Sequence, residues 1–200
     1  MRIIGGAHRG RKLAEWHGTG IRPLRDRVRT ALFDTLGGLV AGVEFLDLFA
    51  GTGAVGLEAL SRGARRAVFV DSSPHAVRLI QENIRRLGYQ DRTEVLRVDA
   101  LAAIRALAEQ GRTFELAFVG APYESGLAQR AMAALGEFVP LAPGALVVAE
   151  TFHKEEVAAR YGALRLELQR VYGETRLSFY RFAPDEAAGY TAPQQGVDDG

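Results

Sequence analysis

A single α/β domain built on a mostly parallel sheet of seven strands is the fold class this sequence predicts, and three observations predict it. Short aliphatic runs alternate with helix-periodic segments between residues 43 and 149; strands joined through helices pair in parallel and are covered on both faces. The 200 residues, 48% of them hydrophobic, are enough for one sizeable core. After residue 163 the alternation stops, and two strand-like runs, 164–171 and 176–182, are joined only by Tyr172-Gly173-Glu174. Such a short link gives an antiparallel hairpin at the sheet edge.

Taken in order, residues 1–12 pair a short apolar run with a Gly pair and a second extended stretch, which reads as a hairpin or arm. A helix over 26–36 follows, with Val28, Ala31, Leu32 and Leu36 on one face, and Gly37-Gly38 ends it. Residues 43–49 form an apolar run of buried-strand type, leading through a Gly-rich turn into a helix that ends near Arg62. A second strand covers 67–70. Pro74 after Ser72-Ser73 opens the next helix, and Val77, Ile80, Ile84 and Leu87 carry it to Gly88. Strand 94–98, helix 101–108, strand 114–119, helix 127–138 and strand 145–149 complete the rhythm. A strand order of 3-2-1-4-5-7-6 accommodates the hairpin. The folded domain is expected over 1–182, with 1–25 as a basic N-terminal arm, and 183–200, rich in Ala, Gly, Pro, Gln and Asp, as a disordered tail.

Charge is unevenly placed. Residues 1–30 hold eight Lys/Arg against Glu15 and Asp26, whereas the remainder holds 17 basic against 22 acidic residues. A basic arm on an acidic body suits a polyanion, since neutralised phosphates release counterions. There is no cysteine, and the four histidines lack ligand spacing, so no metal is expected. No stretch approaches the roughly 20 apolar residues needed to span a bilayer, and no signal-like run opens the chain, so a cytoplasmic protein without a membrane partner is expected.

The strongest local motif is the strand-to-helix turn Leu46-Asp47-Leu48-Phe49-Ala50-Gly51-Thr52-Gly53-Ala54-Val55-Gly56. Gly51, Gly53 and Gly56 satisfy G-x-G-x-x-G, and Asp71 lies 20 residues after Gly51, where a ribose-binding acid belongs. A nicotinamide oxidoreductase is therefore one reading. Asp47 argues for another: a carboxylate at that strand end opposes two phosphates, but accepts hydrogen bonds from the ammonium of a methionine moiety. Asp71 then takes the ribose hydroxyls and Asp99 the adenine amine. Both acids also suit helix N-capping. On this reading the cofactor is S-adenosylmethionine, and its expected contacts are Asp47, Phe49, Ala50, Gly51, Thr52, Gly53, Asp71, Ser72, Asp99 and Ala100.

The chain resembles the RsmD-type 16S ribosomal RNA guanine methyltransferases over about residues 1–182. The resemblance is carried by Met1-Arg2-Ile3-Ile4-Gly5-Gly6 with Arg9-Gly10-Arg11-Lys12, by Arg22-Pro23 with Asp26-Arg27-Val28-Arg29, by the loop from Asp47 to Gly53 with Gly56-Leu57-Glu58-Ala59-Leu60-Ser61-Arg62-Gly63-Ala64, and by Tyr172-Gly173-Glu174-Thr175-Arg176-Leu177-Ser178-Phe179-Tyr180. It implies a Rossmann-like methyltransferase fold, methyl transfer to the N2 amine of a guanine, and 16S rRNA, within a 30S subunit or assembly particle, as partner; a monomer is expected. Arg2, Arg9, Arg11 and Lys12 are then expected at phosphates, with Arg22 and Asp26 to Arg29 bordering the active site and Arg22, Arg27 and Arg29 among the RNA contacts.

After the fourth strand the family is expected to carry Asp-Pro-Pro-Tyr, and this chain has Gly120-Ala121-Pro122-Tyr123. These four residues are the expected catalytic loop: backbone carbonyls of Gly120 and Ala121 accept from the amine, and Tyr123 stacks on the base. Glu124 reads as an exposed loop acid, with replacement acceptor as the alternative. The missing carboxylate also motivates a rival reading, a non-catalytic RNA-binding assembly factor. Trp16 and His17 are expected to pack the arm, Phe33, Phe45 and Phe69 to lie in the core, and Arg62, Arg65 and Arg66 to form a solvated face.

Overall fold

The computed structural model describes residues 1–14 and 24–184. Its elements are α1 (Asp26–Leu36), β1 (Glu44–Leu48), α2 (Ala54–Ser61), β2 (Arg66–Val70), α3 (Pro74–Leu87), β3 (Thr93–Leu96), α4 (Ala100–Glu109), β4 (Phe114–Val119), α5 (Leu127–Phe138), β5 (Leu141–Phe152), β6 (Arg160–Tyr161), β7 (Leu164–Tyr172) and β8 (Thr175–Phe182), with short 3-10 turns between some of them. They form one sheet of order β3-β2-β1-β4-β5-β8-β7-β6. Strands β3 to β5 run parallel, and β5-β8-β7-β6 pair antiparallel.

The expected order holds, with one strand added. The two-residue β6 folds back on the start of β7 through Gly162, whose φ of 57° suits glycine. Two residues carry no readable alternation, so the edge strand has no signature in sequence. Strand β5 is also longer than residues 145–149. Pro143-Gly144 hides its beginning, where the register against β4 jumps between the Phe114↔Leu141 and Leu116↔Leu146 pairs. Its end, Glu150 to Phe152, is held by β8 after β4 has stopped.

Alternation along the strands sorts the core into two layers. Phe45, Phe69, Leu116, Phe118, Val148 and Phe179 face α1, α2 and α3, joined by Val28, Leu57 and Ile80. Leu46, Leu48, Val68, Val70, Ala117 and Val119 face α4 and α5, meeting Ile104, Leu107 and Leu135. The aromatic residues assigned to the core, Phe33, Phe45 and Phe69, are at most 1% exposed. Helix ends follow local chemistry: Ser73 accepts from the Ala76 N–H with Pro74 at the first position, and Gly88 closes α3 at φ 73°.

The N-terminal arm is a hairpin, bridged at Arg2↔Lys12 and by the Ile3 N–H to the Arg11 carbonyl at 2.9 Å. It does not hang free. Ile3 and Leu13 are buried in the α1–α3 layer, and Gly6 sits so tightly on α2 that a Cβ there would lie 1.8 Å from the Ser61 carbonyl oxygen. Residues 185–200, assigned to the tail, and Trp16, His17 and Arg22 lie outside the described residues.

Candidate active site

The chain order reverses between β1 and β4, and the C-terminal ends of these strands open onto a cavity of about 670 Å³. A parallel sheet collects its ligands at such a switch point. The structure places on this one cavity Asp47, Phe49, Ala50, Gly51 and Thr52 from the first loop, Asp71 and Ser72 after β2, Asp99 and Ala100 after β3, and Gly120 to Tyr123 after β4. Gly53 stands just behind, at φ 76°, as the residue preceding α2. Phe49 adopts a positive φ of 59°, strain of the kind concentrated at ligand sites.

The glycine loop is closed by carboxylates. Asp71 Oδ2 accepts from the Gly51 N–H at 2.8 Å and its Oδ1 from the Ser73 N–H at 2.9 Å. Asp47, 1% exposed, accepts from the Gly56 N–H at 2.9 Å. The Gly51 and Gly56 N–H groups that a pyrophosphate would need at such a turn are therefore spent on protein carboxyl groups, and the Gly53 N–H on the Ala50 carbonyl, which leaves the turn poorly suited to phosphate. Burial, only partly offset by the Gly56 hydrogen bond, pushes the Asp47 carboxyl up to about 8. A cationic ligand group beside it would restore the carboxylate. Asp99 N-caps α4 through the Leu101 and Ala102 N–H groups at 2.9 and 3.2 Å while still lining the cavity.

Gly56 is required by closeness. A Cβ there would meet the Phe69 ring at 2.4 Å and Asp47 Oδ2 at 3.1 Å. Gly56→Ala is expected to cost about 1–3 kcal/mol of stability through overpacking, and to weaken cofactor binding because Asp47 must move. Urea unfolding and calorimetry with S-adenosylhomocysteine check both effects.

On the substrate side, the Tyr123 hydroxyl donates to Glu150 Oε1 at 2.7 Å and lies 2.7 Å from Thr175 Oγ1. Its ring lies 6.0 Å from that of Phe152. Arg176 braces the neighbouring loop by donating to the carbonyls of Glu155, at 2.6 Å, and His153. Thr175 thus ties Tyr123 to β8, and Arg176 holds residues 153–155 beside it. Glu124 is exposed, at φ 56°, with its N–H directed to Glu155 Oε1 at 3.1 Å; it does not line the cavity. Glu150 does line it. The apolar run that marks this strand in sequence stops at residue 149, although the strand-tip rule that picks out Asp47, Asp71 and Asp99 reaches Glu150 one position later.

The arm's basic residues divide. Arg2, Arg9, Arg11, Lys12 and Arg27 are exposed. Arg2, Arg9 and Arg27 line a second cavity, of about 290 Å³, with Asp26 and Thr30. Arg29 is a correction: its side chain is fully buried, donating to the Arg2 carbonyl at 2.5 Å and Asp26 at 3.0 Å, with Glu58 3.8 Å away. It fixes the arm and cannot reach RNA. Glu58, also fully buried, accepts from the Ile4 and Gly5 N–H groups at 2.8 and 2.7 Å and from Arg62 at 2.8 Å. Arg62 therefore does not belong to a solvated face; it is paired and stacked 5.0 Å over Phe33. Asn83 completes the clamp, accepting from the Ala14 N–H at 2.7 Å and donating to the Thr52 carbonyl at 3.1 Å, which ties arm to cofactor loop.

A model of the family described as Conserved hypothetical protein 95 matches residues 1–181. The Ribosomal RNA small subunit methyltransferase D of Escherichia coli (strain K12) is 34% identical over 189 residues, covering 88% of this chain and 93% of that protein. The structure of the hypothetical protein TTHA0928 from Thermus thermophilus superimposes with a TM-score of 0.77 at 36% identity, over 90% of this chain and 98% of its own. An RNA methyltransferase from Salinibacter ruber in complex with S-adenosyl-L-homocysteine shares the fold, with a TM-score of 0.64 at 17% identity, over 87% of this chain and 98% of its own.

Proposed function

Because the chain belongs to the Conserved hypothetical protein 95 family, the RsmD-type methyltransferases, we propose that it is an S-adenosylmethionine-dependent rRNA methyltransferase whose target is the exocyclic N2 amine of a guanine in 16S rRNA. The observation that carries this reading is the convergence of three carboxyl groups, in β1 and in the loops after β2 and β3, and of the Gly120–Tyr123 loop on one cavity, beside a basic arm. The cavity's volume suits a small-molecule ligand, such sites spanning roughly 300–1,000 Å³. Its acceptors fit the cofactor: Asp47 would take the methionine ammonium, Asp71 the ribose hydroxyls and Asp99 the adenine amine, while Phe49, Ala50, Gly51, Thr52, Ser72 and Ala100 would shape the walls.

Bound S-adenosylmethionine supplies an electrophilic methyl group. The protein's part is positioning. A guanine amine is a weak nucleophile, its lone pair delocalised into the ring, so it must be held in line and its N–H groups must find acceptors as positive charge develops. Tyr123, tethered at its hydroxyl, offers a ring face to an unstacked base, and Pro122 stiffens the turn. Gly120 and Ala121 supply backbone carbonyls. The exposed Arg2, Arg9, Arg11, Lys12 and Arg27 take phosphates of an rRNA segment, and the enzyme works as a cytoplasmic monomer on a 30S subunit or assembly particle.

Labelled S-adenosylmethionine with unmodified 30S particles, followed by nucleoside digestion, tests the reading: N2-methylguanosine is the expected product, and label in another nucleoside overturns the guanine assignment. The Gly120 substitution favours a second reading, an RNA-binding assembly factor without transferase activity. Tight cofactor binding with no label moved to RNA or particle would select it. For the arm, alanine at Arg2, Arg9 or Arg27 is expected to weaken rRNA-fragment binding irrespective of sequence and to reduce the log–log salt slope by about 1 each.

A further inference from the structure

The carboxylate absent from position 120 has a counterpart one strand away. β4 and β5 pair in parallel up to Val119↔Ala149, so Gly120 and Glu150 emerge side by side at adjacent strand tips. A Cβ placed on Gly120 would lie 3.8 Å from Glu150 Oε2, so this carboxylate borders the space an aspartate at 120 would enter. The same Cβ would press on the Phe118 ring at 2.9 Å, so that ring and a side chain at 120 compete for room. Glu150 Oε1 accepts from the Tyr123 hydroxyl, which fixes the side chain over the cavity, and Asp47, Tyr123 and Glu150 all line that cavity.

We propose that Glu150 is the side-chain acceptor for the target amine, taking the part that an aspartate at position 120 would play; this rests on the methyltransferase reading above. The amine lone pair forms the new N–C bond while the methyl carbon's bond to sulfur breaks and its electron pair stays on sulfur. The nitrogen then carries a positive charge, and its proton passes to the Glu150 carboxylate and on to solvent. Glu150 accepts an N–H hydrogen bond throughout, stronger as charge grows, which lowers the barrier rather than merely binding the base.

The test is Glu150→Gln, which keeps the shape and can still accept from Tyr123. Single-turnover methyl transfer to 30S particles should fall about 100-fold, with the unfolding midpoint, the RNA KM and S-adenosylhomocysteine affinity unchanged. A second arm needs no RNA. Sinefungin carries an amine-bearing carbon where the donor carries its methylated sulfur, so the variant should bind it about tenfold more weakly while binding S-adenosylhomocysteine as before, a differential loss of about 1.4 kcal/mol. A transfer rate within threefold of wild type, or equal weakening of both ligands, overturns the proposal. If wild type transfers nothing to RNA but the sinefungin arm behaves as described, the rRNA assignment fails while the placement of Glu150 at the reaction centre stands.

Discussion

Glu58→Ala is expected to lower the thermal unfolding midpoint by about 10 °C and to release the N-terminal arm. Glu58 is fully buried and serves three donors at once, the backbone N–H groups of Ile4 and Gly5 and the guanidinium of Arg62, while Arg29 faces it as an ion pair at 3.8 Å. Arg29 is itself fully buried, and burial draws its pKa below the ordinary guanidinium value against the pull of Asp26 and Glu58. Removing one partner of a buried pair costs about 3–5 kcal/mol, because the other charge stays behind uncompensated. A domain of this size loses about 2–4 °C per kcal/mol, which leads to the stated shift. Glu58→Gln, which retains an acceptor for one backbone N–H, should lose less. Calorimetric scanning measures the midpoint, and limited proteolysis reads the arm, where cleavage within the first 14 residues should accelerate. An unchanged midpoint would mean that the arm docks through Ile3, Leu13 and Asn83 alone.

Substitution of Asp47 should produce the other large effect, on the ligand instead of the fold. Asp47→Ala removes the buried carboxylate proposed to face the cofactor's ammonium, a loss of about 2–5 kcal/mol in binding, or at least about 30-fold in Kd. Asp47→Asn separates charge from shape, since its amide oxygen can still accept from Gly56. The pH dependence has a definite sign. Raised from 3.8 to about 8, the Asp47 carboxyl keeps its proton in the folded protein where the unfolded chain has lost it. Its contribution to stability is therefore greatest at low pH and falls as pH climbs through that interval, with a slope approaching ~1.4 kcal/mol per pH unit. Unliganded wild type should lose stability relative to Asp47→Asn between pH 5 and pH 8. Saturating S-adenosylhomocysteine should remove that difference in wild type only. Parallel stability–pH curves for the two unliganded proteins would show that Asp47 is ionised without a cationic partner.

The loop after β4 shows how far a motif can be read. Gly120-Ala121-Pro122-Tyr123 is recognisable as a base-binding turn from its place after the fourth strand, and its missing aspartate is plain. Sequence offers only the adjacent Glu124 as an alternative acceptor, and reads it first as an exposed loop acid, which it is; chain distance suggests no other candidate. The sheet ranks neighbours by strand pairing, and by that measure Gly120 is adjacent to Glu150, 30 positions on. The burial of Arg29 and the packing of the half-buried Arg62 are likewise invisible. Spaced three residues from Asp26 and four from Glu58, the two arginines match the surface ion pairs that decorate exposed helices. The arm packing over α1 and α2 turns the same spacing into a network centred on the buried Arg29 and Glu58.

The order of the layers, the parallel core with its antiparallel edge, the glycine turn with its three strand-tip acids, and the family were all legible along the chain. Each of these is written in local periodicity or in short contiguous runs, which survive without knowledge of what packs where. Which charges lie inside, which carboxylates cap the loop's own N–H groups, and which acid stands beside Gly120 emerged only once the chain was folded. Those outcomes depend on contacts spanning tens of residues, and a side chain's solvation, and with it its charge and reach, is set by the partner that the fold delivers.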